Sequence, residues 1–288
     1  MVSRRPISSN AGFAKCRQRA NRRVFFFKMK KFIVFVFLMF SLQVKAADVS
    51  FAPAYLDFHY KEKSESGRTL NSEHGPLTGI ELKGSVEIAG WHFDPSLAYY
   101  RGQVDYRGST QLGLPLQTRT DQELGRLGVN MLRPWLANTA WLVYANYCYW
   151  QRSILPVRNV SGLSQDYRWW ELGLGFKQQI QVGKQTTLGY DLGLFYIPRA
   201  EVVVDLPQWS ARDVTLEQGE GKGMQLGLHW QKPLSQNIAA SASVVHRRWN
   251  IAASDPVRVS TSRGVSLIYE PESESEHTSL NVGLIFSW

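Results

Sequence analysis

The sequence has very few cysteines and no apolar run long enough to cross a membrane as a helix. It holds two cysteines, of which Cys16 lies near the N-terminus and Cys148 stands alone in the rest of the chain. A single thiol there excludes an intramolecular disulfide framework. A transmembrane helix needs about 20 consecutive, predominantly apolar residues, and no run after residue 46 approaches that length. If this part of the chain enters a membrane, it must do so with strands.

Acidic residues are absent from segment 1–46, which holds eleven of the lysines and arginines. The formal net charge of +9 at first suggests an acidic partner such as nucleic acid. Removing those eleven from the total of 33 basic residues leaves 22 against 24 acidic residues, a net charge of −2. Nucleic-acid binding therefore has no support outside the leader.

Residues 29–46 have the three parts of a secretory signal peptide. Lys30 and Lys31 supply the positive start, residues 32–42 the apolar centre, and "VKA" a cleavage site that ends at Ala46. The apolar centre is too short to span a bilayer. We expect residues 1–28 to be an upstream leader, 29–46 a signal peptide cleaved after Ala46, and 47–288 the mature domain.

Apolar residues recur at every second position in ten segments of the region 47–288, which is the period of a β-strand. In "LGYDLGLFY" (188–196), for example, Leu and Tyr alternate with Gly, Asp and Phe. This pattern predicts an all-β domain of about ten strands. The stretch "RVSTSRGVSLIY" (258–269) is a candidate for further pairing.

The connections between these segments alternate between short and long. Short ones lie near 89–95, 133–138, 182–186 and 232–236, and long ones near 61–76, 107–121, 152–166, 198–220 and 250–275. Outer-membrane barrels have short periplasmic turns and long extracellular loops. The rhythm therefore predicts a transmembrane antiparallel up-and-down β-barrel with both termini in the periplasm.

The chain ends in "LNVGLIFSW", whose apolar positions form one strand face. They are Leu280, Val282, Leu284, Phe286 and Trp288. This ending resembles the C-terminal signature of bacterial outer-membrane β-barrel proteins. The resemblance implies an outer-membrane location, contact with outer-membrane lipid and recognition of these residues by the barrel-assembly machinery.

Charged residues lie on the strand faces opposite the apolar ones. We expect a paired charge network in the lumen, since buried charges persist when they are paired; its members are Glu81, Lys83, Glu87, Arg101, Asp105, Arg126, Glu171 and Asp191. A ten-stranded barrel is close to the size at which side chains fill the interior. Glycines on the same faces favour open space instead; they are at 173, 175, 189, 193, 227 and 283.

Chemistry-bearing motifs are sparse. Asp57 and His59 have the spacing of a general-base pair on one strand face, which we expect to point inward. About ten strands resemble the omptin-like proteases, whose rims carry catalytic acids and a histidine, but no second acidic pair matches. The histidines lack ligand spacing. The acidic "EPESESEH" (270–277) has oxygen donors that suit calcium, although its composition is more typical of a solvated loop. No cofactor or metal is expected.

Three classes of function remain open at this point. The first is a structural or surface-interaction barrel that acts through its long extracellular loops. The second is a narrow porin for ions or very small solutes. The third is a rim-located protease or lipid-modifying enzyme, with Asp57 and His59 as its candidate residues.

Overall fold

β-Strands make up most of the part of the chain that the structure, a computed structural model, describes: residues 47–110, 113–158, 160–183, 185–205, 213–261 and 264–288. The strands are β1 (Ala47–Lys63), β2 (Thr69–Ile88), β3 (Trp91–Ser109), β4 (Pro115–Leu136), β5 (Thr139–Ile154), β6 (Leu163–Val182), β7 (Thr186–Ile197), β8 (Ala200–Asp205), β9 (Val214–Gln218), β10 (Gly221–Pro233), β11 (Ile238–Ile251), β12 (Val257–Thr261), β13 (Gly264–Ile268) and β14 (Glu272–Ser287). The predicted leader 1–28, signal peptide 29–46 and cleavage at Ala46 lie outside the described residues.

Ten of these strands form a closed antiparallel barrel in the order β1-β2-β3-β4-β5-β6-β7-β10-β11-β14. The barrel closes where β1 pairs with β14, for instance at Ala54 and Asn281. Closure leaves no strand edge unpaired, which a spanning β-structure requires in lipid. The predicted ten-stranded barrel is confirmed. None of the described residues forms a helix long and apolar enough to cross a membrane.

The remaining four strands lie at one end, which we call the extracellular end. β8 continues the pairing of β7 along β6, from Ala200 opposite Trp169, and β9 pairs with β8. β12 and β13 form a separate two-stranded sheet, the β12–β13 hairpin. The extra pairing expected within 258–269 therefore exists, but outside the barrel. The other end, the periplasmic end, carries residues 47 and 288 and the short turns.

The predicted long loops are mostly strand. β1 runs to Lys63 and β2 begins at Thr69, so only five residues connect them. Strands β2, β4 and β6 are 20, 22 and 20 residues long, about twice the 9–11 residues that cross a bilayer. The segment 270–277, expected as a solvated loop, is largely the start of β14. The barrel therefore extends well beyond the membrane on the extracellular side.

An apolar belt surrounds the periplasmic half of the barrel. Its outward and exposed side chains include Phe51, Ile80, Val143, Leu172, Leu174, Leu194, Leu226, Leu228, Val282 and Leu284. Exposed tryptophans stand at both edges of the belt, Trp135 and Trp141 at the periplasmic edge and Trp170 at the other. Apolar bands flanked by aromatic girdles are the outer surface of membrane barrels.

The polarity of the wall reverses above this belt. On β1, Phe51 and Tyr55 point outward in the belt, whereas Leu56, Phe58 and Tyr60 are buried inside the barrel. The outward positions above the belt become polar. The polarity reverses because hydrocarbon contacts the outside of the lower half of the barrel, whereas water contacts the outside of the upper half. The upper half therefore buries apolar side chains on its inner face, as a soluble protein does.

Candidate functional site

Arg152 on β5 is a fully buried side chain, 1% exposed, that crosses the lumen. Its Nη1 donates to Glu62 Oε1 on β1 at 2.6 Å and to Gln165 Oε1 on β6 at 2.7 Å. Its Nε donates to Glu73 Oε1 on β2 at 2.7 Å. The guanidinium also lies 5.0 Å from the ring of Tyr60, within cation–π distance. One side chain thus ties β5 to strands on the far wall.

Glu270 joins this group from the short link between β13 and β14. Tyr167 Oη donates to its Oε1 at 2.6 Å, and Gln165 Nε2 donates to its Oε2 at 3.0 Å. We call the whole group the Arg152 cluster: Glu62, Glu73, Arg152, Gln165, Tyr167 and Glu270. It lies above the apolar belt, since the outward neighbours of Glu62 are Lys61 and Lys63.

The Arg152 cluster holds three carboxyl groups and one guanidinium. Burial, and secondly the nearby Glu62 carboxylate, raise the pKa of Glu270 to about 8. Burial also raises the pKa of Glu73, although Arg152 opposes that change. A low-dielectric site disfavours every uncompensated charge. Glu270 is therefore largely protonated at neutral pH, which reduces the excess negative charge of the cluster.

An aromatic layer packs against the Arg152 cluster. Trp150 stacks on Tyr167 with ring centroids 4.5 Å apart and meets the Tyr60 ring edge-on at 4.8 Å. Trp150 Nε1 donates to Gln122 Oε1 at 2.5 Å, and Gln122 Nε2 donates to Glu73 Oε2 at 2.5 Å. The cluster and this layer together occupy the lumen from wall to wall.

A second cross-lumen pair lies below. Arg247 Nη2 on β11 is 2.6 Å from Glu171 Oε2 on β6. Asn146 Nδ2 and Trp169 Nε1 also donate to the Glu171 carboxylate, at 3.1 and 3.2 Å. A cavity of about 50 Å³ beside Arg247 is lined by aromatic, aliphatic and polar side chains, with the imidazole of His277 among them. Its size suits one or two water molecules.

A larger polar cavity of about 290 Å³ fills the periplasmic half of the lumen. On one wall Glu81 lies 3.0 Å from Lys83 Nζ and 3.8 Å from Arg126 Nη2. On the other wall Asp191 accepts hydrogen bonds from Gln225 and pairs with His229. Fully buried side chains fill the lumen at the two upper levels, where Arg152 is 1% and Glu171 0% exposed, and the polar cavity lies beneath them.

Two of the six inward glycines, Gly173 and Gly193, do not leave the open space that the sequence suggested, whereas Gly189 lines the periplasmic cavity. The ring of the buried Tyr144 occupies the space beside the first two, so that a Cβ on Gly173 would lie 2.1 Å from Tyr144 Cζ. A Cβ on Gly193 would lie 2.9 Å from Tyr144 Oη. The glycines here allow a large ring to lie flat against the wall, and they help to fill the lumen.

The structure places five of the eight predicted lumen charges inside the barrel. Glu81, Lys83, Arg126 and Asp191 line the periplasmic cavity, and Glu171 is fully buried. Glu87 is exposed near the periplasmic end of β2. The predicted lumen positions of Arg101 and Asp105 are wrong: both are exposed on the outer wall of β3, while Tyr100, Val104 and Tyr106 of that strand are buried. This part of β3 lies above the belt, where the apolar face turns inward.

Asp57 and His59 also face outward, which corrects their predicted inward position. His59 Nε2 lies 3.2 Å from Asp57 Oδ2, and both side chains are about half exposed on the outer wall of β1. The ring of His74 on β2 stacks beside His59 with centroids 6.0 Å apart. The pair therefore cannot act on anything held in the lumen. Its place above the belt again explains the reversal.

Sequence reasoning did not identify Glu62 or Glu73. It offered Arg152 as a possible inward charge and placed Glu270 in an acidic loop, but it did not join the four residues in one site. A signal for one of them was present. On β1 the residues Leu56, Phe58 and Tyr60 are followed in the same phase by Glu62, so a charge shares the buried face. The partners of Glu62 lie on strands far away in the sequence, and no local pattern identifies them.

The predicted assembly residues form the outward face of the end of β14. Leu280, Val282, Leu284, Phe286 and Trp288 are all exposed there. This arrangement turns these five side chains toward lipid, whereas Ile285 of the same strand lines the periplasmic cavity. Recognition by the assembly machinery stays a prediction.

No protein-family model matches the sequence, and no curated protein matches it. The structure is similar to the outer membrane protease OmpT from Escherichia coli, with a TM-score of 0.52 and 9% identity, covering 86% of this chain and 98% of that one. It also matches the translocator domain of the autotransporter NalP from Neisseria meningitidis, with a TM-score of 0.41 and 9% identity, covering 93% and 98%. At such low identity the OmpT similarity shows the fold alone. The fold and the apolar belt define a β-barrel protein of the bacterial outer membrane.

Proposed function

We propose that the protein is a structural or surface-interaction barrel that binds an extracellular partner through its outward hairpins. The observation that carries this proposal is the wall-to-wall closure of the lumen by the Arg152 cluster. A constitutive pore needs a continuous aqueous path, and the fully buried Arg152 occupies its place. What the barrel presents to the outside is then the surface of its extracellular end.

The β12–β13 hairpin supplies a candidate contact surface. Val259 on its inner face belongs to the apolar core, and Ile268 packs against that core. On its outer face Val265, Leu267 and Tyr269 are 70%, 65% and 47% exposed. Apolar patches that face water on a soluble surface mark interaction sites. We call these three side chains the hairpin patch.

A binding experiment tests this proposal. The barrel refolded into nanodiscs would be applied to an array of purified extracellular proteins and glycans, beside a variant with all three patch residues changed to Ser. Leu114→Ser is the matched control, because Leu114 is 60% exposed on a different loop. We expect binding that the triple change abolishes and Leu114→Ser retains. Binding that survives the triple change, or that is absent for every probe, contradicts the proposal.

A narrow channel is the second candidate function. The observation that favours it is the polar cavity of about 290 Å³ in the periplasmic half of the lumen. That cavity is lined by charges of both signs, as expected of a passage for ions or very small solutes. The Arg152 cluster would then act as its closed gate.

A further inference from the structure

We propose that loss of a proton from Glu270 releases the last extracellular loop, residues 252–271, from the barrel and so controls how the hairpin patch is presented. The loop carries the β12–β13 hairpin, and Glu270 is its inward anchor. This inference rests on the proposed function only where it concerns the partner; the release itself is a property of the loop.

The anchor reaches across the lumen. Glu270 immediately precedes Pro271 and β14, yet its carboxyl group receives hydrogen bonds from Tyr167 and Gln165 on β6. In the barrel order, three strands separate β14 from β6 on the shorter way round. One side chain thus fixes the base of the loop to the opposite wall.

The backbone beside Glu270 strengthens this anchor. Glu270 N donates to Ser254 Oγ at 2.8 Å, and Ser254 N donates to Glu270 O at 2.9 Å. The two ends of the loop, near 254 and 270, are therefore tied to each other at the same point. The Glu270 carboxyl group therefore lies at the point where the two ends of the loop meet.

The charges around Glu270 make its anionic form unfavourable in this position. β1 contributes Glu62 and Tyr60, β2 contributes Glu73, β5 contributes Arg152, and β6 contributes Tyr167 to the same cluster. Arg152 directs its hydrogen bonds to Glu62, Glu73 and Gln165, with a longer one to Tyr167 Oη at 3.4 Å. Among the described residues no cation lies within ion-pair distance of Glu270. An ionised Glu270 therefore adds a third carboxylate to a buried site whose single guanidinium is already engaged.

The direction of the pH effect follows from the two states of the loop. Burial raises the pKa of Glu270 to about 8 in the closed state, and in a released loop the carboxyl group returns to an ordinary value near 4.3. The equilibrium constant for loop closure is therefore largest at pH values below the pKa of the released loop. This constant falls by up to about tenfold per pH unit as the pH rises toward 8, and above pH 8 it no longer changes.

Spin-label distances on the full barrel in nanodiscs test the release. Labels at Val265→Cys and Leu114→Cys report the position of the hairpin relative to the β3–β4 tip, since both sites are exposed. The native Cys148 is buried, and mass spectrometry would verify that it stays unlabelled. We expect a narrow distance distribution at pH 5 that broadens as the pH is raised to 9.

Two variants at the anchor separate the possible causes. Glu270→Gln cannot ionise, so its distribution should stay narrow up to pH 9. Glu270→Ala lacks the anchor, so its distribution should be broad at every pH. Three results would each overturn the proposal. The wild-type distance distribution could stay narrow at every pH, the Glu270→Gln distribution could broaden as the wild type does, or the Glu270→Ala distribution could be narrow. None of these readouts involves a partner, so failure of the proposed surface function would leave this test intact.

Discussion

Arg152 on β5 and Glu62 on β1 meet across the barrel, with 2.6 Å between Nη1 and Oε1. Their strands are separated by β2, β3 and β4 along the wall, so the ion pair crosses the lumen. Glu73 and Gln165 hold the same guanidinium from two further strands. This group of contacts crosses the lumen above the apolar belt, and it is the basis of the first two predictions.

Arg152→Met should destabilise the barrel by about 3–5 kcal/mol, because the change leaves Glu62 and Glu73 buried without their cation. Adding Glu62→Gln and Glu73→Gln should restore much of this loss. Reversible urea unfolding in lipid vesicles provides the free energies. Arg199→Ala is the control, since the Arg199–Glu217 pair is exposed and such pairs contribute at most about 1 kcal/mol. Equal losses for Arg152→Met and the control would contradict the assigned role.

The wild-type barrel should show no discrete openings in planar bilayers, because the Arg152 cluster and Trp150 fill the lumen. Changing Glu62, Glu73 and Arg152 to Ser together with Trp150→Ala removes these side chains without leaving an unpaired charge. We expect small, reproducible conductance steps from this variant once heat-modifiable migration verifies its folding. A folded variant that stays closed would mean that the level of Arg247 and Glu171 also seals the lumen.

Val282→Lys should cost about 2–4 kcal/mol of stability in lipid, because a lysine on the lipid face near the midplane must enter hydrocarbon. Val265→Lys is a matched control. Both valines are exposed, at 58% and 70%, but Val265 faces water above the belt and its change should be nearly neutral. Unfolding in lipid vesicles measures both. A similar loss of unfolding free energy for the two variants would contradict the assignment of Val282 to the lipid-facing belt.

Trp288→Ala should reduce assembly in cells more than stability in vitro, if the terminal strand is the assembly signal. Trp288 is 62% exposed at the end of the chain, so its removal creates no cavity. The folded fraction in the outer membrane, measured by heat-modifiable migration, is expected to fall several-fold, while refolding of the purified variant into vesicles proceeds normally. Normal assembly of the variant in cells would show that Trp288 is not part of the assembly signal.

The barrel could be predicted from the sequence because its signals are local. Alternation along "LGYDLGLFY" reports a strand wherever that strand lies, and short turns at one end report the direction of the hairpins. The apolar face of residues 280–288 was also assigned to lipid, and the structure turns it outward. Each of these inferences needed only residues within one segment.

The errors have one common cause. Alternation shows that a strand has two faces, but it does not show which face turns inward. Alternation predicts a lumen position for Asp57, His59, Arg101 and Asp105 only if the lipid-facing belt continues along the whole strand. Strands β1 and β3 have 17 and 19 residues, whereas about 9–11 cross a bilayer. Above the belt water replaces hydrocarbon outside, so the apolar face turns inward.

The sequence by itself determined the strands, the barrel and the lipid-facing belt, since these follow from periodicity and turn chemistry. Only the tertiary structure decided that the lumen is closed. Glu62, Glu73, Arg152 and Glu270 are up to 208 positions apart in the chain, and they meet because barrel closure brings their strands to one level. Burial then makes their pairing obligatory, and that requirement has no counterpart in any local pattern.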